Sequence, residues 1–356
     1  MPAQTVLVTG ATGFLGGDLT RRLLADGVQV RVLARSASRA RPLADLGAQV
    51  ITGDMTSHEA VKAAIDGVQV VYHLAGRLFE PWVPAQEYAR VHVDGTLVLL
   101  EHCKRTPGLT RLVHCSTTGV LGPTGDRPAA EDAPLRPSNV YEATKAEAEQ
   151  LVRGAGACGL AVVIARPGLV YGPGDVHLAA FFSAVLRRRF RPIGRTPVWL
   201  HPIYVNDLTA ALLACGDDDR AVGECFHLAA PRPVTLAGLA QVIAQAAGTS
   251  AAGGFIPLSA ARAVARAGDL LPPKVRASAP LTTSRLDFLT HSRVYDVSKA
   301  QRLIGFTAST DLAAGITETV LWYRRNGYLP AAEPAGVTAE ARARNSVAAD
   351  FAPHHD

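Results

Sequence analysis

The feature that most constrains the fold is a short apolar segment, residues 5–9, that runs directly into three regularly spaced glycines. Glycines at this spacing allow a tight turn after a strand. They also let the backbone approach a pyrophosphate at the N-terminus of the following helix. The pattern predicts a dinucleotide-binding loop formed by Gly10, Thr12, Gly13, Phe14, Leu15 and Gly16.

Short β-branched segments alternate with amphipathic segments through the first half of the chain. The predicted strands are Thr5–Thr9, Val28–Ala34, Gln49–Thr52, Val68–His73, Arg111–Ser116 and Ala161–Arg166. The predicted helices between them are Gly13–Asp26, Ser57–Ile65, Pro84–Arg105 and Tyr141–Ala157. Nearly continuous apolar strands that alternate with helices favour a parallel sheet covered on both faces. The expected fold is therefore an α/β, doubly wound parallel sheet of the Rossmann type, with its ligand beyond the carboxyl ends of the strands.

The regular alternation stops after Arg166, where prolines become frequent. A helix at Asn206–Cys215 and a strand at Glu224–Ala229 are expected to return to the sheet. The expected domains are a dinucleotide-binding domain of residues 1–166 with 203–230, and a smaller, mostly helical substrate-binding lobe of residues 167–202 with 231–330. Residues 331–356 have little apolar periodicity and predict a disordered tail, so we expect His354 and His355 to be solvated rather than metal-bound.

Composition is that of a globular protein, with 48% hydrophobic residues among 356 and a net charge of +5. Much of the excess charge lies in a cluster formed by Arg187, Arg188, Arg189 and Arg191. Such a cluster suits a solvated helix face, or a site for an anionic substrate or carrier. A nucleic-acid partner is not favoured, because no nucleic-acid motif or basic stripe interleaved with aromatic residues occurs.

The five cysteines are scattered and have no metal-ligand spacing, so free thiols in a reducing compartment are expected and no metal site is predicted. A strand begins within a few residues of the N-terminus, which leaves no room for a signal peptide. No apolar run approaches the ~18 to 20 residues that span a bilayer. We expect a cytoplasmic protein without a membrane span.

The end of the second predicted strand bears on which dinucleotide is bound. An acidic side chain there would accept the ribose hydroxyls of NAD, but this chain has Ala34 and Arg35, with Arg39 and Arg41 close behind. A guanidinium suits a 2′-phosphate, which a carboxylate would repel. We therefore expect NADP(H) to be favoured over NAD(H); the alternative is that these arginines are surface charges. Asp54, after the third strand, is a candidate contact to the adenine.

Two pairs of residues match the pattern YxxxK, Tyr141 with Lys145 and Tyr295 with Lys299. Residues four apart share one face of a helix, and a cation held beside a phenol lowers its pKa. The spacing alone does not choose between the pairs. Tyr141 opens the helix that follows the strand ending near Thr117, whereas Tyr295 is far from that strand, so we expect the first pair to be functional.

Six motifs in this order resemble the extended short-chain dehydrogenase/reductases, the NAD-dependent epimerase/dehydratase family. They are Thr9–Gly16 for TGxxGxxG, Tyr72–Gly76 for the fourth-strand signature, His114–Gly122 for the Ser/Thr strand end, Tyr141 with Lys145 for YxxxK, Ala165–Asp175 for RPxxVYGPGD, and Ile203–Leu208 for IxVxDL. The resemblance extends from Thr5 to about Tyr328.

The resemblance implies roles for particular residues. Tyr141 would be the general acid/base, and Lys145 would lower its pKa and hold the nicotinamide ribose. Thr117 would hydrogen-bond the substrate oxygen, with Ser116 or Thr118 near enough to share or take that role. The remaining expected contacts to the cofactor are Met55, Leu74, Ala75, Gly76 and Pro167. The cofactor supplies the hydride, and the protein positions and polarises the substrate.

The chain departs from the family's NVxGT motif at His92, where Asn is usual. We expect a packed helix histidine rather than a proton relay. It also lacks features of the sugar-nucleotide members. Leu169 is at the position where they carry Asn, and Leu200-His201-Pro202 is where they tend to carry Arg. Dehydratases have an Asp-Glu pair after the catalytic Thr, but this chain has Thr118 and Gly119 there.

The C-terminal stretch from Arg293 to Leu329 looks more like that of 3β-hydroxysteroid and sterol dehydrogenases. The resemblance thus implies an NADP(H)-dependent oxidoreductase that interconverts a secondary alcohol and a ketone on a bulky, largely apolar substrate. The alternatives are a nucleotide-sugar epimerase with tightly held cofactor and, more remotely, a non-catalytic dinucleotide sensor. The helices at Pro84–Arg105 and Tyr141–Ala157 are expected to pair in a homodimer.

Overall fold

The computed structural model describes residues 4–331 except 81, 277, 278 and 280. The predicted disordered tail, with His354 and His355, lies outside the described residues from 332 onward. The strands of the described chain are β1 (Thr5–Thr9), β2 (Gln29–Ala34), β3 (Gln49–Thr52), β4 (Val70–His73), β5 (Arg111–Cys115), β6 (Val162–Pro167), β7 (Leu169–Tyr171), β8 (Trp199–Leu200), β9 (Pro202–Tyr204), β10 (Cys225–Leu228) and β11 (Val234–Thr235).

The α-helices of the same residues are α1 (Phe14–Ala25), α2 (Ala37–Ala44), α3 (His58–Ile65), α4 (Ala85–Ala89), α5 (Gly95–Cys103), α6 (Val140–Ala157), α7 (Ala179–Leu186), α8 (Val205–Asp217), α9 (Leu236–Ala246), α10 (Leu258–Asp269), α11 (Pro273–Arg276), α12 (Thr283–Thr290), α13 (Ser298–Ile304) and α14 (Leu312–Arg325). A π-helix at Arg90–Asp94 joins α4 to α5, and 3₁₀ turns occur at Thr118–Leu121 and Asp219–Ala221. No helix in this part of the chain is long and apolar enough to cross a bilayer.

Seven of the strands form one parallel sheet in the order β10-β6-β5-β4-β1-β2-β3. The chain winds one way through β1, β2 and β3 and the other way through β4, β5 and β6. The direction reverses between β1 and β4, where Thr9 pairs with His73. In open sheets of this kind the ligand cleft lies beyond the strand ends at the reversal. The predicted doubly wound fold is confirmed.

Both faces of the sheet are covered, because successive residues of a strand point to opposite sides. Val6 and Val8 of β1 pack in one apolar cluster with Leu19 of α1, and Leu7 packs in a second cluster with Val61 of α3. All are buried. The helices packed on both faces hold the strands in place. The carboxyl edge of the sheet is then available to form a site.

Helices α7, α9 and α14 surround a third apolar cluster that includes Phe182, Ile243 and Tyr323. Two small strand pairs accompany it, the parallel pair β7–β9 and the antiparallel pair β8–β11. A fourth cluster joins Ile193 to α10 and α12. Helices thus predominate in this part of the chain, with two short strand pairs among them.

The predicted helix at Pro84–Arg105 is confirmed as a continuous helical segment, in which the π-helix separates α4 from α5. Gly95 lies at the junction, where an added Cβ would meet the Met55 Cβ at 3.0 Å. Helix α2 is absent from the predicted elements. Its sequence has a proline at position 42 and buries only Ala40 and Leu43, so it shows no apolar periodicity.

Candidate active site

The three glycines after β1 form a cradle in which two positions exclude any side chain. Gly10 has a φ of 74°, and a Cβ there would stand 2.7 Å from the backbone of Leu74 and Ala75. A Cβ on Gly16 would stand 2.3 Å from the Gly10 carbonyl oxygen. The Gly13 N–H donates to that same oxygen at 3.0 Å and closes the turn. The loop therefore lies directly against the end of β4.

Helix α1 begins immediately after the cradle, with Gly13 as its N-cap and no capping side chain. The N–H groups of Phe14, Leu15 and Gly16 have no intrahelical acceptor, because they belong to the first turn. No acidic residue occurs in that turn. These donors and the helix dipole favour an anion, so the cradle fits the pyrophosphate of a dinucleotide. Thr12 is half-buried beside them.

The end of β2 carries no carboxylate, since residues 34–44 contain no Asp or Glu. Arg35 is exposed, and its guanidinium has no hydrogen bond or ion pair with any described residue. Ser36 caps α2 by accepting the Arg39 N–H at 3.3 Å, and its hydroxyl lies 2.8 Å from that of Ser38. The segment after β2 therefore presents the Arg35 guanidinium and the hydroxyl groups of Ser36 and Ser38.

Asp54 follows β3 and is held by three hydrogen bonds to one of its oxygens, Oδ1. The Thr56 N–H and hydroxyl donate at 3.0 and 2.8 Å, and Arg90 donates at 3.1 Å. Burial would raise the pKa of this carboxyl, but the bonds from Thr56 and the charge of Arg90 lower it. Within the described residues, Oδ2 accepts no bond. The buried Met55 lies next to it in the chain.

Thr117 and Tyr141 are brought together by two neighbouring elements at the carboxyl edge of the sheet. Thr117 follows β5 by two residues and caps the 3₁₀ turn at Thr118–Leu121, where its hydroxyl accepts the Gly119 N–H at 3.1 Å. Tyr141 is in the first turn of α6, whose N-cap Asn139 accepts the Glu142 N–H at 3.0 Å. The Thr117 side chain lies close enough to the Tyr141 phenol to lower the phenol's pKa.

Lys145 lies one turn further along α6, and its ammonium donates to the Cys115 carbonyl oxygen at 2.5 Å. Burial lowers the pKa of Lys145. Burial, together with Cys115, raises the pKa of Tyr141, against the hydrogen bond from Thr117. Desolvation of the phenolate is thus the main influence on the Tyr141 pKa in the protein alone. That Lys145 lowers this pKa during the reaction stays a prediction.

The two hydroxyl neighbours of Thr117 are each engaged elsewhere. Ser116 donates to Glu149 at 2.8 Å, in the buried network where Glu149 pairs with Arg166 at 2.6 Å. Thr118 donates to the Pro167 carbonyl oxygen at 3.0 Å. Pro167 thus lies at the end of β6 beside the candidate site, and Thr117 is the member of the triplet that faces Tyr141.

His92 is packed, with both ring nitrogens engaged. Its Nε2 accepts the Arg77 N–H at 3.0 Å, so Nδ1 carries the proton and donates to the Thr144 hydroxyl at 2.8 Å. Thr144 donates in turn to the Val140 carbonyl oxygen at 2.9 Å. The ring also meets Tyr141 edge to face at 5.6 Å. Burial, with the nearby Lys145, lowers the pKa of His92 to about 3, so the ring is neutral.

Two further histidines beneath the site had no place in the sequence interpretation. The Thr9 hydroxyl accepts the Ala75 N–H at 3.2 Å and lies 2.8 Å from Nδ1 of His73, whose Nε2 lies 2.9 Å from the Thr96 hydroxyl. His114 is buried next to it, and neither of its ring nitrogens has a partner in the described structure. Burial and then Lys145 lower both pKa values, that of His73 to about 3. The signal in the sequence that could have identified them is a histidine within each of two largely apolar strands, β4 and β5.

The second YxxxK match does not form a pair. Tyr295 is buried against His201, with ring centroids 6.1 Å apart, and its phenol lies close enough to the Thr118 side chain for Thr118 to lower its pKa. Lys299 points away to Glu224, at 2.6 Å. Tyr295, which comes from the C-terminal part of the chain, therefore packs beside Thr118 next to the candidate site.

The fold and this arrangement are those of one enzyme class. Residues 6–228 match the sequence model of the NAD dependent epimerase/dehydratase family, and the chain belongs to that family. It is an NAD(P)-dependent enzyme of the extended short-chain dehydrogenase/reductase type.

Among curated proteins, the chain is similar to a 4-hydroxy-2-methyl-3-oxo-4-farnesyl-3,4-dihydroquinoline-1-oxide ketoreductase of Stigmatella aurantiaca. The two are 31% identical over 87% of this chain and 93% of the relative. A sterol demethylase protein B of Methylococcus capsulatus is 28% identical over 92% of this chain and 100% of its own length. Among solved structures, MoeE5 in complex with UDP-glucose and NAD is 27% identical, with a TM-score of 0.71, over 90% of this chain and 99% of that one.

Proposed function

We propose that this protein is an NADP(H)-dependent oxidoreductase that interconverts a ketone and a secondary alcohol on a bulky, largely apolar substrate. The observation that carries the proposal is the convergence of Thr117, Tyr141 and Lys145 at the strand ends next to the glycine cradle. A bound nicotinamide dinucleotide supplies or accepts the hydride, and the protein must hold the substrate oxygen and move one proton.

Tyr141 is the proton donor and acceptor in this proposal. Because burial raises the pKa of the phenol, it stays protonated at neutral pH. A protonated phenol is suited to donate to the oxygen of a ketone as that oxygen gains charge. Thr117, which faces Tyr141, hydrogen-bonds the same oxygen. Lys145, one turn away and buried, provides positive charge on the same helix face.

Thr117 is favoured over its neighbours because of where their hydroxyls are engaged. Ser116 is tied to the buried ion pair, and Thr118 lies between Pro167 and Tyr295. Using either hydroxyl for a substrate would break a buried hydrogen bond, at a cost of about 1–3 kcal/mol. Thr117 accepts one N–H and retains its own proton for a substrate.

The preference for NADP(H) follows from the end of β2. Arg35 is an exposed, unpaired cation within the described chain, and Ser36 and Ser38 add hydroxyl groups beside it. These groups suit a phosphate on the ribose, whereas the carboxylate that would accept the hydroxyls of NAD is absent from residues 34–44. Asp54, with one oxygen unengaged, is assigned to the adenine.

The substrate is proposed to bind in the smaller lobe, residues 167–202 and 231–330, over the carboxyl edge of the sheet. Leu169 and His201 replace polar positions expected for a sugar nucleotide, and His201 is engaged with the Ala230 carbonyl oxygen at 2.6 Å. The similarity to a ketoreductase of a farnesylated quinoline supports a bulky apolar ketone. We also propose that the protein is cytoplasmic and that it forms a homodimer through the helices at 84–105 and 141–157.

A nucleotide-sugar epimerase is the second candidate, and the similarity to MoeE5, which was solved with UDP-glucose and NAD, is the observation in its favour. The two functions differ in what happens to the cofactor. A reductase exchanges it and consumes NADPH, while an epimerase retains it and shows no net turnover.

The deciding experiment measures binding and turnover of NADPH and NADH with a panel of bulky ketones and with UDP-sugars. We expect NADPH oxidation with ketones and no conversion of UDP-sugars. Epimerisation with cofactor retained through purification would contradict the reductase, and a strong preference for NADH would contradict the role of Arg35.

A further inference from the structure

Two segments of the smaller lobe concentrate positive charge on its surface. Residues 187–195 contain five arginines and no acidic residue, and residues 253–276 contain four Lys or Arg and one acidic residue, Asp269. The Asp269 carboxylate accepts the Thr283 N–H at 3.2 Å, so it is directed at the start of α12. The positive charge is therefore not neutralised within the two segments.

One arginine of the first segment has an unusual backbone conformation. Arg188 is the one non-glycine residue of the described chain with a positive φ, 56°, where sixteen glycines share that property. It lies just after the end of α7, where its N–H donates to the Val185 carbonyl oxygen and the N–H of the following residue donates to the Ala184 carbonyl oxygen. Glycine is the usual residue at such a helix end, because it adopts this conformation without strain. The side chains of residues 187–189 are exposed and make no ion pair with any described residue.

The two segments form one surface. The Gly194 N–H donates to the Ile256 carbonyl oxygen and the Ile256 N–H to that of Pro192, both at 2.8 Å. The Arg195 guanidinium lies 4.9 Å above the Phe255 ring. From below, Ile193 packs against the buried side of α10. The other side of α10 faces solvent, so we name the exposed side chains of residues 187–195, 253–272, 275 and 276 the basic face.

Large apolar side chains are exposed on the same surface. Five of the fourteen exposed large hydrophobic residues of the described chain fall within residues 255–275: Phe255, Ile256, Val264, Leu270 and Val275. Leu270 is 87% exposed, the highest value among them. Arginines interleaved with exposed aliphatic and aromatic side chains around an amphipathic helix are typical of elements that lie in a membrane interface.

We propose that the basic face docks on an anionic lipid bilayer, with Leu270 and its apolar neighbours entering the headgroup region. Positive charge attracts anionic lipid, and the exposed aliphatic side chains gain by leaving water. A second copy of this chain is a poor partner, because a two-fold interface would bring like charges together. Nucleic acid would satisfy the arginines but not the aliphatic side chains. Vesicle binding is measured without substrate or cofactor, so the proposal does not depend on the reaction.

The test is flotation of the full-length protein with vesicles of phosphatidylcholine alone or of equal parts phosphatidylcholine and phosphatidylglycerol. We expect binding to the anionic vesicles, release by high salt, and little binding to the neutral ones. Changing Arg187, Arg188 and Arg189 together to Gln should lower the partition coefficient at least about tenfold. Leu270→Ser should lower it about fivefold, because one apolar side chain no longer inserts.

Matched controls separate the face from charge or hydrophobicity in general. A variant with Lys62, Lys104 and Arg127 changed to Gln loses the same charge elsewhere, and Leu46→Ser removes an apolar side chain that is 56% exposed on the other domain. Both should bind vesicles like wild type. Equal binding to both vesicle types, unaltered binding by the arginine variant, or binding to nucleic acid but not to anionic vesicles would overturn the proposal.

Discussion

Replacing Gly16 with Ala tests whether the cradle geometry holds the cofactor. The new Cβ would stand 2.3 Å from the Gly10 carbonyl oxygen and 2.7 Å from its carbon. Gly10 has no room to retreat, because it already lies against the backbone of Leu74 and Ala75. Ala is otherwise favoured in a helix by about 1 kcal/mol, and overpacking against backbone costs about 3 kcal/mol, so a net loss of about 2 kcal/mol is expected.

Cofactor binding should fall further than stability. Relief of the clash must move the first turn of α1 away from the cradle, and each charge-assisted bond lost is worth about 1.5–3 kcal/mol. The Kd for NADPH, measured by fluorescence titration, should therefore rise about 10- to 100-fold. Gly154→Ala is the matched control, since a Cβ there meets no atom within 4 Å. It should add about 0.5–1 kcal/mol to the free energy of unfolding in urea and leave the Kd unchanged.

The reasoning is refuted if Gly16→Ala binds NADPH with wild-type affinity, or if it unfolds at the same urea concentration as wild type. Either result would mean that the close approach of Gly16 to the Gly10 carbonyl is not what shapes the loop. A loss of affinity in Gly154→Ala as well would indicate a general effect rather than one of the cradle.

Three further changes test other parts of the account. Arg35→Ser should raise the Kd for NADPH about 10- to 100-fold and leave that for NADH unchanged in titrations; equal losses would contradict the phosphate assignment. Arg166→Met leaves the buried Glu149 carboxylate with only Arg153 as an ion-pair partner and should lower the free energy of unfolding by about 3 kcal/mol at neutral pH. Although burial opposes it, Arg166 holds the pKa of Glu149 below its ordinary value of 4.5. This stabilisation is complete above that pH and fades as pH falls through the lower folded value, so the gap between variant and wild type should narrow in acid; a constant gap in denaturant unfolding would exclude Glu149 as the cause. Tyr295→Phe removes a buried hydroxyl next to Thr118, so it should cost at most about 1 kcal/mol of stability and keep kcat near wild type; a large loss of kcat would indicate that Tyr295 takes part in the reaction.

The parts of the site that sequence predicted are those set by local spacing. The glycines are three residues apart because a tight turn and a helix start require it, and Tyr141 and Lys145 are four apart because a helix face does. The cap at Asn139, which accepts the Glu142 N–H, is equally local. Apolar strands between amphipathic helices were sufficient for the parallel sheet, since only that arrangement buries both faces.

The parts that sequence missed depend on contacts between distant residues. Ser116 is withdrawn from the site by Glu149, and Thr118 by Pro167, which come from separate segments of the chain. The π-helix at Arg90–Asp94 interrupts an otherwise regular helical pattern, and His92 within it is fixed by Arg77 and α6. The direction of the Tyr141 pKa shift in the protein alone was also missed, because it depends on how the folded chain buries the phenol.

The central claim is that Tyr141 transfers the proton when NADPH reduces a ketone. The most direct measurement compares NADPH oxidation and alcohol formation by wild type and Tyr141→Phe with a bulky apolar ketone. The account predicts equal amounts of NADPH consumed and alcohol formed by wild type, a loss of kcat of about 10²- to 10⁴-fold in the variant, and an unchanged Kd for NADPH. A variant that retains wild-type kcat would contradict the account.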